Sequence, residues 1–447
     1  DLDLDLDLDL DLDLDPDLDP DLDPDPDLDL DLRRRGTSAS MRRTRRKSAP
    51  PPPSAAAVEA LGPYARTRLT VRALGLALPL DVPADVFATR AIDEGTLLLL
   101  RNLPERAPGS LLDLGCGYGA LGLPVAAKFP DARALLVDRD LLAVRAAVHN
   151  ARSLRLSNVE ARPGLGYRDL SPGARFDLVL CNVPARIGPR GVAYLLDAGR
   201  SLLTREGELR AVVIRDLREQ VETAQVPGLR LAAQGRNHLV YSVPPGSSRF
   251  ALDDESVYAR DETRFEAAPG RVLSLSRPHD ASEDPGHAPA LGALLEAVPR
   301  GSPGTVLCFR CGYGALPLAA RVRWPQARVL AQDRDLLDTA FVRRNASALG
   351  LAGEGLRLAE ALFPSETLPE SGAGLVLGEA SAAAGEAVFA RELLEVKRLL
   401  APGGEALVLA SEKQAREWLP SAVASGAAVL LRRQGSCILR IARPKGA

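Results

Sequence analysis

Between residues 67 and 243 the chain alternates short apolar runs with longer stretches whose apolar residues recur every three or four positions. The short runs lie at 111–114, 133–137, 159–162, 176–181, 207–214 and 239–243. They have strand length and mostly lack the polar alternation of a half-solvated strand. The stretches at 96–101, 120–128, 141–154 and 191–203 have helical period, and 67–80 reads as a short hairpin around Gly75. Thr96 stands where a helix needs an N-cap, ahead of four consecutive leucines. Strands apolar on both faces and alternating with helices predict a parallel, doubly wound α/β sheet.

The plan then repeats. The stretch running from Leu111 through Asp113, Gly115, Gly117 and Gly119 to Ala120 returns 195 positions later, from Val306 through Cys308, Arg310, Gly312 and Gly314 to Ala315. Phe129-Pro130 becomes Trp324-Pro325, Asp138 becomes Asp333 and Asn150 becomes Asn345 at the same offset. Further on, 178–180 matches 375–377 and Gly207 matches Gly404 at an offset of 197, so one small loop insertion separates the copies. A period this long is a duplicated domain, not a solenoid repeat. The expected organisation is an unstructured segment over 1–62, a first domain over 63–247 and a second over 248–447, joined where Pro, Ser, Gly and charges cluster around 247–271.

Composition agrees with two cores: 447 residues are too many for one, and 46 % of them are hydrophobic. No apolar run approaches the roughly 18–20 residues of a membrane helix. The five cysteines are odd in number and lack framework spacing, which suits a reducing compartment, and a cytoplasmic location is the expectation. The net charge of −3 conceals a division. Residues 1–32 place 16 aspartates at the odd positions, alternating with Leu or Pro, and Arg33, Arg34 and Arg35 follow, so the chain beyond residue 40 carries +10. A fully charged face gains too little burial to order itself, so this tail is expected to be disordered. Met41 is the sole methionine, and the expectation is that translation starts there, with a genuine acidic tail masking a basic surface as the rival. The arm over 41–57, rich in Arg, Ser, Pro and Ala, is expected to be flexible.

Glycines at a strand-to-helix turn let backbone approach a ligand, and a carboxylate ending the next strand, here Asp138, can accept from two ribose hydroxyls. Gly117-x-Gly119-x-x-Gly122 also fits the dinucleotide pattern, a weak signal by itself. Asp113, two residues before Gly115, favours a cationic ligand over a nicotinamide. The fourth strand ends in Cys181-Asn182-Val183-Pro184-Ala185. With Phe87, Asp93-x-Gly95-Thr96, the Asp113 to Gly119 turn, Asp138 and Asn182-x-Pro184, the first half resembles the class I S-adenosylmethionine-dependent methyltransferases. Within them it is most similar to the small-methyltransferase family that includes bacterial ribosomal RNA guanine-N2 methyltransferases. The resemblance covers 67–243 well and 271–444 weakly.

That resemblance implies two tandem Rossmann-like methyltransferase domains, the second degenerate, and S-adenosyl-L-methionine as cofactor. It implies that Asp113, Gly115, Gly117, Gly119 and Asp138 hold the cofactor and that Asn182 and Pro184 hold and orient the acceptor amine. Arg186 and Arg190 are substrate-binding candidates, suited to a base or to phosphates, with solvated loop arginines as the alternative. The family's Asn-Pro-Pro-aromatic element stands here as Asn182-Val183-Pro184-Ala185, without its aromatic, and Arg162-Pro163-Gly164 replaces the acid expected after the third strand. No metal is expected, since the four histidines form no ligand-spaced cluster. In the second half Cys308 replaces Asp113, Arg310 replaces Gly115, Pro317 replaces Gly122, and 378–381 replaces the Asn-containing element. Arg310 is expected to fill the ligand's space, and Cys308-x-x-Cys311 reads as a coincidence of the duplicated turn.

The leading expectation is methyl transfer to a base amine of RNA, ribosomal RNA favoured, by the first half. The alternatives are a non-catalytic tandem module that binds RNA or protein, and a methyltransferase for a small molecule or protein. A nicotinamide enzyme ranks last.

Overall fold

The computed structural model describes residues 51–280, 288–298, 301–381, 383–433 and 435–446. The acidic repeat, Met41 and most of the basic arm lie outside the described residues. The end of the arm is ordered, against expectation: α1 (Ala55–Leu61) is a helix, capped by Ser54. Its cap is built into the body of the first half, because the Ser54 backbone and hydroxyl both donate to Asp81, at 2.9 and 2.6 Å. Arg68 donates to the same carboxylate through Nε and Nη2, at 3.0 and 2.9 Å.

A hairpin of β1 (Ala65–Ala73) and β2 (Leu76–Pro83) precedes the first sheet. The helix expected to start at Thr96 is α2 (Glu94–Arg101), and its N-cap is Asp93, whose carboxylate accepts from the Thr96 amide. Aspartate outdoes threonine here because it also meets Asn182, as described below. The sheet comprises β3 (Ser110–Leu114), β4 (Arg133–Asp138), β5 (Val159–Pro163), β6 (Phe176–Asn182), β7 (Leu203–Ile214), β8 (Arg230–Gln234) and β9 (His238–Val243). Their spatial order is β5-β4-β3-β6-β7-β9-β8, parallel except where β9 runs against both neighbours. Helices α3 (Gly122–Lys128), α4 (Leu141–Ser153), α5 (Gly188–Arg200) and α6 (Arg218–Thr223) cover it. The central strands are buried on both sides, as Leu111, Leu112, Val179 and Leu180 at 0 % exposure show.

The second half copies each step. A hairpin of β10 (Ala259–Ala268) and β11 (Arg271–Pro278) and helix α7 (Ala288–Glu296) lead into its sheet. That sheet is built from β12 (Thr305–Phe309), β13 (Arg328–Asp333), β14 (Leu356–Glu360), β15 (Ala373–Glu379), β16 (Leu400–Ser411), β17 (Ala428–Arg433) and β18 (Ser436–Ala442). The order β14-β13-β12-β15-β16-β18-β17 is that of the first sheet, and α8 (Ala315–Arg323), α9 (Leu336–Ala348) and α10 (Glu386–Leu399) pack on it. One hydrogen-bond device is preserved in detail. The Asn150 amide brackets Asp81 of β2 and donates to the Tyr118 carbonyl. Asn345 brackets Ser276 of β11 and donates to the Tyr313 carbonyl. These buried amides tie each hairpin and glycine turn to its helix, which accounts for their place in the repeat.

The halves meet reciprocally. Arg139 pairs with Asp335 at 3.2 Å and Arg334 with Asp140 at 3.3 Å. Arg139 also pairs with Asp280 at 2.8 Å, and Arg334 with Asp85 at 3.2 Å. The backbones close the same contact, since Leu141 N donates to the Arg334 carbonyl and Leu336 N to the Arg139 carbonyl. Every pair has its mirror 195 positions away, which is the geometry of a two-fold dimer interface carried within one chain.

Candidate functional site

The strand order reverses at β3, and a crevice opens at the carboxyl ends of the strands at such a switch point. A cavity of about 610 Å³ lies there, bordered by the turn after β3, the ends of β4, β5 and β6, and the segment before α2. Three glycines of the turn have left-handed backbones: Gly115 at φ 75°, Gly117 at 55° and Gly119 at 93°. They do different work. A Cβ at Gly115 or Gly117 would meet nothing within 4 Å, and both border the cavity. A Cβ at Gly119 would strike the Leu123 side chain at 2.5 Å, so Gly119 serves the packing of the turn on α3 and does not border the cavity.

Asp138 ends β4 half-buried at the cavity edge. Its Oδ2 accepts from Gly117 N at 2.8 Å and its Oδ1 from Asp140 N at 2.9 Å. A carboxylate keeps further lone pairs for a ligand after two such bonds. Burial raises the Asp138 pKa, with the two backbone donors and Arg139 pulling it down.

Asp113, expected to face a cationic ligand, is 0 % exposed and does not border the cavity. Its Oδ2 accepts from Gly122 N at 2.7 Å, and a Cβ on Gly122 would come within 2.6 Å of that oxygen. Gly122 therefore makes room for a carboxylate beneath the turn and is no phosphate-binding glycine. The other oxygen of Asp113 is buried without a hydrogen-bond partner, and burial raises the pKa to about 7. The copy changes both partners together: Pro317 has no N–H to give, and Cys308 no longer asks for one.

Asn182, at the end of β6, is held in one orientation. Its Nδ2 donates to Asp93 Oδ2 at 2.9 Å and to Thr96 Oγ1 at 3.2 Å. Because Asp93 can only accept, the amide nitrogen must face it, and Oδ1 is left as the acceptor. Asp93 is itself fixed by the Thr96 amide, at 2.8 Å, and stands 3.9 Å from His238 Nε2. Pro184, Ala185 and Arg186 follow as an exposed turn on the cavity rim. Arg190, the other substrate-binding candidate, is exposed, stands 3.5 Å from Asp254 and does not border the cavity. Phe87 sits on the rim with 72 % of its surface exposed.

Sequence reasoning missed the second half's contribution. Tyr258, Asp280 and Asp335 border this cavity together with Asp93, Asp138, Asp140, Arg139, Arg186 and residues of the first half. The signal was present in the repeated Asp-Arg-Asp at 138–140 and 333–335, but which half each copy would face was not. Five aspartates against two arginines suit a cationic ligand and oppose a pyrophosphate. Burial lifts Asp140 to about 7, against the pull of Arg334. The open glycine cradle, the acidic lining and the strand-end carboxylate fit S-adenosylmethionine.

The equivalent place in the second half holds a cavity of only about 10 Å³. Arg310, at φ 45° where Gly115 stands in the first half, fills it. Its guanidinium donates to Glu392 Oε1 at 2.6 Å and to the Tyr64 hydroxyl at 2.9 Å, and lies 3.9 Å from Asp85. The expected loss of a ligand site is thus a substitution of side chains for ligand. Among the described residues, no group of three His, Cys, Asp or Glu side chains could hold a metal ion, and no helix is long and apolar enough to cross a membrane.

These sheets and crevices define two tandem Rossmann-like domains. Residues 78–242 match the family model described as methyltransferase small domain. The ribosomal RNA large subunit methyltransferase G of Shewanella amazonensis is 39 % identical over 109 residues, 24 % of this chain and 28 % of that protein. The ribosomal RNA small subunit methyltransferase C of Hahella chejuensis is 38 % identical over 104 residues, 23 % of this chain and 29 % of that one. The chain thus spans less than a third of the length of these two relatives. The structure of the T. thermophilus 16S rRNA N2 G1207 methyltransferase RsmC, in complex with AdoMet and guanosine, superposes with a TM-score of 0.63 at 19 % identity. It covers 86 % of this chain and all of that one, and shows that the fold is shared across both halves.

Proposed function

We propose that the first half is an S-adenosylmethionine-dependent methyltransferase that acts on an exocyclic amine of an RNA base, with ribosomal RNA the favoured substrate. The observation that carries this reading is the pinned amide of Asn182. An exocyclic amine is a poor nucleophile because its lone pair is delocalised into the ring. An acceptor oxygen with one enforced orientation takes an N–H of that amine, localises the lone pair and aims it. Asp93 and Thr96 supply the orientation by occupying the amide nitrogen. S-adenosylmethionine, when bound, supplies a methyl group on a sulfonium, which needs no metal or nucleophilic side chain to leave. Gly115 and Gly117 open the backbone to it, Asp138 is placed for its ribose hydroxyls, and the acidic walls favour its charge.

Two further facts support RNA as substrate: the ribosomal RNA methyltransferase names of the relatives and the +10 charge of the chain beyond residue 40. The missing aromatic at Ala185 favours a different acceptor. Phe87 answers it, as an exposed ring on the same rim where a splayed base can stack. The test has two stages. Calorimetric titration of the full chain with S-adenosylmethionine should show one site, and no heat would remove the enzymatic reading. Labelled methyl groups should then pass to RNA, and transfer that persists undiminished in extracts stripped of RNA would assign a protein or small-molecule acceptor instead.

A further inference from the structure

The plugged copy in the second half is an internal template for the open site in the first. The two leading segments correspond closely. Tyr64 ends a short 3-10 turn before β1 and accepts from Ala84 N at 2.7 Å, and Tyr258 ends one before β10 and accepts from His279 N at 2.7 Å. Each tyrosine crosses to the other half. Tyr64 lies at the second half's plugged site, where its hydroxyl accepts from Arg310 and its ring packs on Phe363, with centroids 5.5 Å apart. Tyr258 borders the first half's cavity and packs on Tyr194 of α5, with centroids 5.9 Å apart.

Phe363 identifies what the first site leaves open. After the third strand of each sheet, Gly164 N donates to the Asp138 carbonyl, and Ala361 N to that of Asp333. Likewise Leu165 N donates to Asp169, and Leu362 N to Glu366. This register puts Gly166 where the copy has Phe363. Gly166 is left-handed, at φ 57°, and a Cβ there would meet the Tyr258 hydroxyl at 2.4 Å. So where the second half packs a phenyl ring against its crossing tyrosine, the first has no side chain, a crossing tyrosine and a cavity. The chain fills the ring-shaped part of the plugged site with Phe363 and the cationic part with Arg310.

We infer that Tyr258, supplied by the second half, is a binding residue of the first half's cofactor site and packs against the purine of an adenine nucleoside. The second half is therefore part of the binding site and not only a scaffold. Resting on the proposed function for its ligand, this inference explains why the short segment 255–258 has kept its partner in a copy that lost its own cavity. The cofactor runs along the strand ends in this arrangement, with Gly115 at one end, Asp138 in the middle and Gly164 to Gly166 at the other.

The test is calorimetry on the full chain with S-adenosylhomocysteine and with adenosine alone. Tyr258→Leu, which keeps apolar volume but no ring, should weaken both ligands by the same factor, about tenfold. Tyr258→Phe, which keeps the ring, should stay within about twofold of wild type. Circular dichroism and thermal melts establish that each variant is folded. On the wild-type protein, adenosine should slow amide exchange over 255–260, a readout that needs no substitution. Unchanged affinity in folded Tyr258→Leu, an equal loss in Tyr258→Phe, or no protection over 255–260 would each overturn this inference while leaving the function standing. A wild-type protein that binds neither ligand would overturn both.

Discussion

The plug can be moved. Gly115→Arg places in the first half the residue its copy carries at the same left-handed position. The backbone accommodates it, since Arg310 holds φ 45° in the copy and a Cβ at Gly115 meets nothing within 4 Å. The left-handed conformation costs a residue with a Cβ about 1–2 kcal/mol, so the variant should fold with a modestly lower melting temperature. Binding should suffer far more. At 4 Å and an effective dielectric of about 20, two unit positive charges repel by about 4 kcal/mol, which is roughly a thousandfold in affinity. Loss of space adds to this. Calorimetry with two ligands separates the effects, because S-adenosylmethionine carries the sulfonium charge and S-adenosylhomocysteine does not. Gly115→Arg should weaken both and the first more than the second, while Gly115→Gln should weaken both alike. Wild-type affinity for S-adenosylmethionine in folded Gly115→Arg would refute the placement of the ligand over this turn.

Four other outcomes follow from the same geometry. Arg310→Gly removes a cation from contact with Glu392, whose side chain is 3 % exposed, and should lower stability by about 3–5 kcal/mol; with Phe363 still packed against Tyr64, titration should show no second binding event. Asp113 has a folded pKa of about 7, above its unfolded value of about 3.9, so the native state holds the extra proton between those values and stability falls as pH rises through that window. Asp113→Asn should flatten that part of the profile relative to wild type in denaturant melts at pH 4 to 8. Asp93→Ala frees the Asn182 amide to rotate and should lower kcat about 10- to 100-fold, with the affinity for S-adenosylhomocysteine unchanged by calorimetry. Phe87→Ala should raise the KM for RNA about tenfold without changing that affinity, and a changed affinity would place the ring on the cofactor instead.

The fold was legible because its signals are local. Apolar strands, helical periods and a 195-residue offset need no knowledge of what touches what, and both sheets follow from them except the largely exposed edge strand β8 and the antiparallel direction of β9. The cradle was legible for the same reason: Gly115, Gly117 and Asp138 are set by one turn and the next strand end. The bond from Gly122 N to Asp113 was not legible, because a strand-end carboxylate reads alike whether it faces the cavity or a backbone N–H beneath the turn. The pairing of Arg190 was not legible because Asp254, its partner, lies 64 residues away. The roles of Asp93 and Tyr258 depend on contacts with Asn182 and with the cavity of the other half, which no period encodes.

The eroded copy sorts the site more sharply than either half alone. Residues retained after the cavity closed must serve the fold. Gly312 and Gly314 keep left-handed backbones, Asp333 still accepts from Gly312 N at 3.0 Å, and Asn345 still ties its hairpin. Asp138 therefore has a structural duty, and its loss would disturb the turn as well as the proposed ribose contact, which makes Asp138→Ala a poor probe of binding. Residues lost with the cavity are Gly115, Gly166, Asn182, and Asp113 with Gly122, the set that the proposed ligand and its supports would need. Arg139, Asp140 and Asp280 belong to neither set alone. Their mirrors Arg334, Asp335 and Asp85 make the same contacts from the other side, and the second half's interface residues Asp280 and Asp335 are also wall of the first half's cavity. Mutation could close one cavity without releasing the interface, but it could not delete the closed half without unroofing the open one.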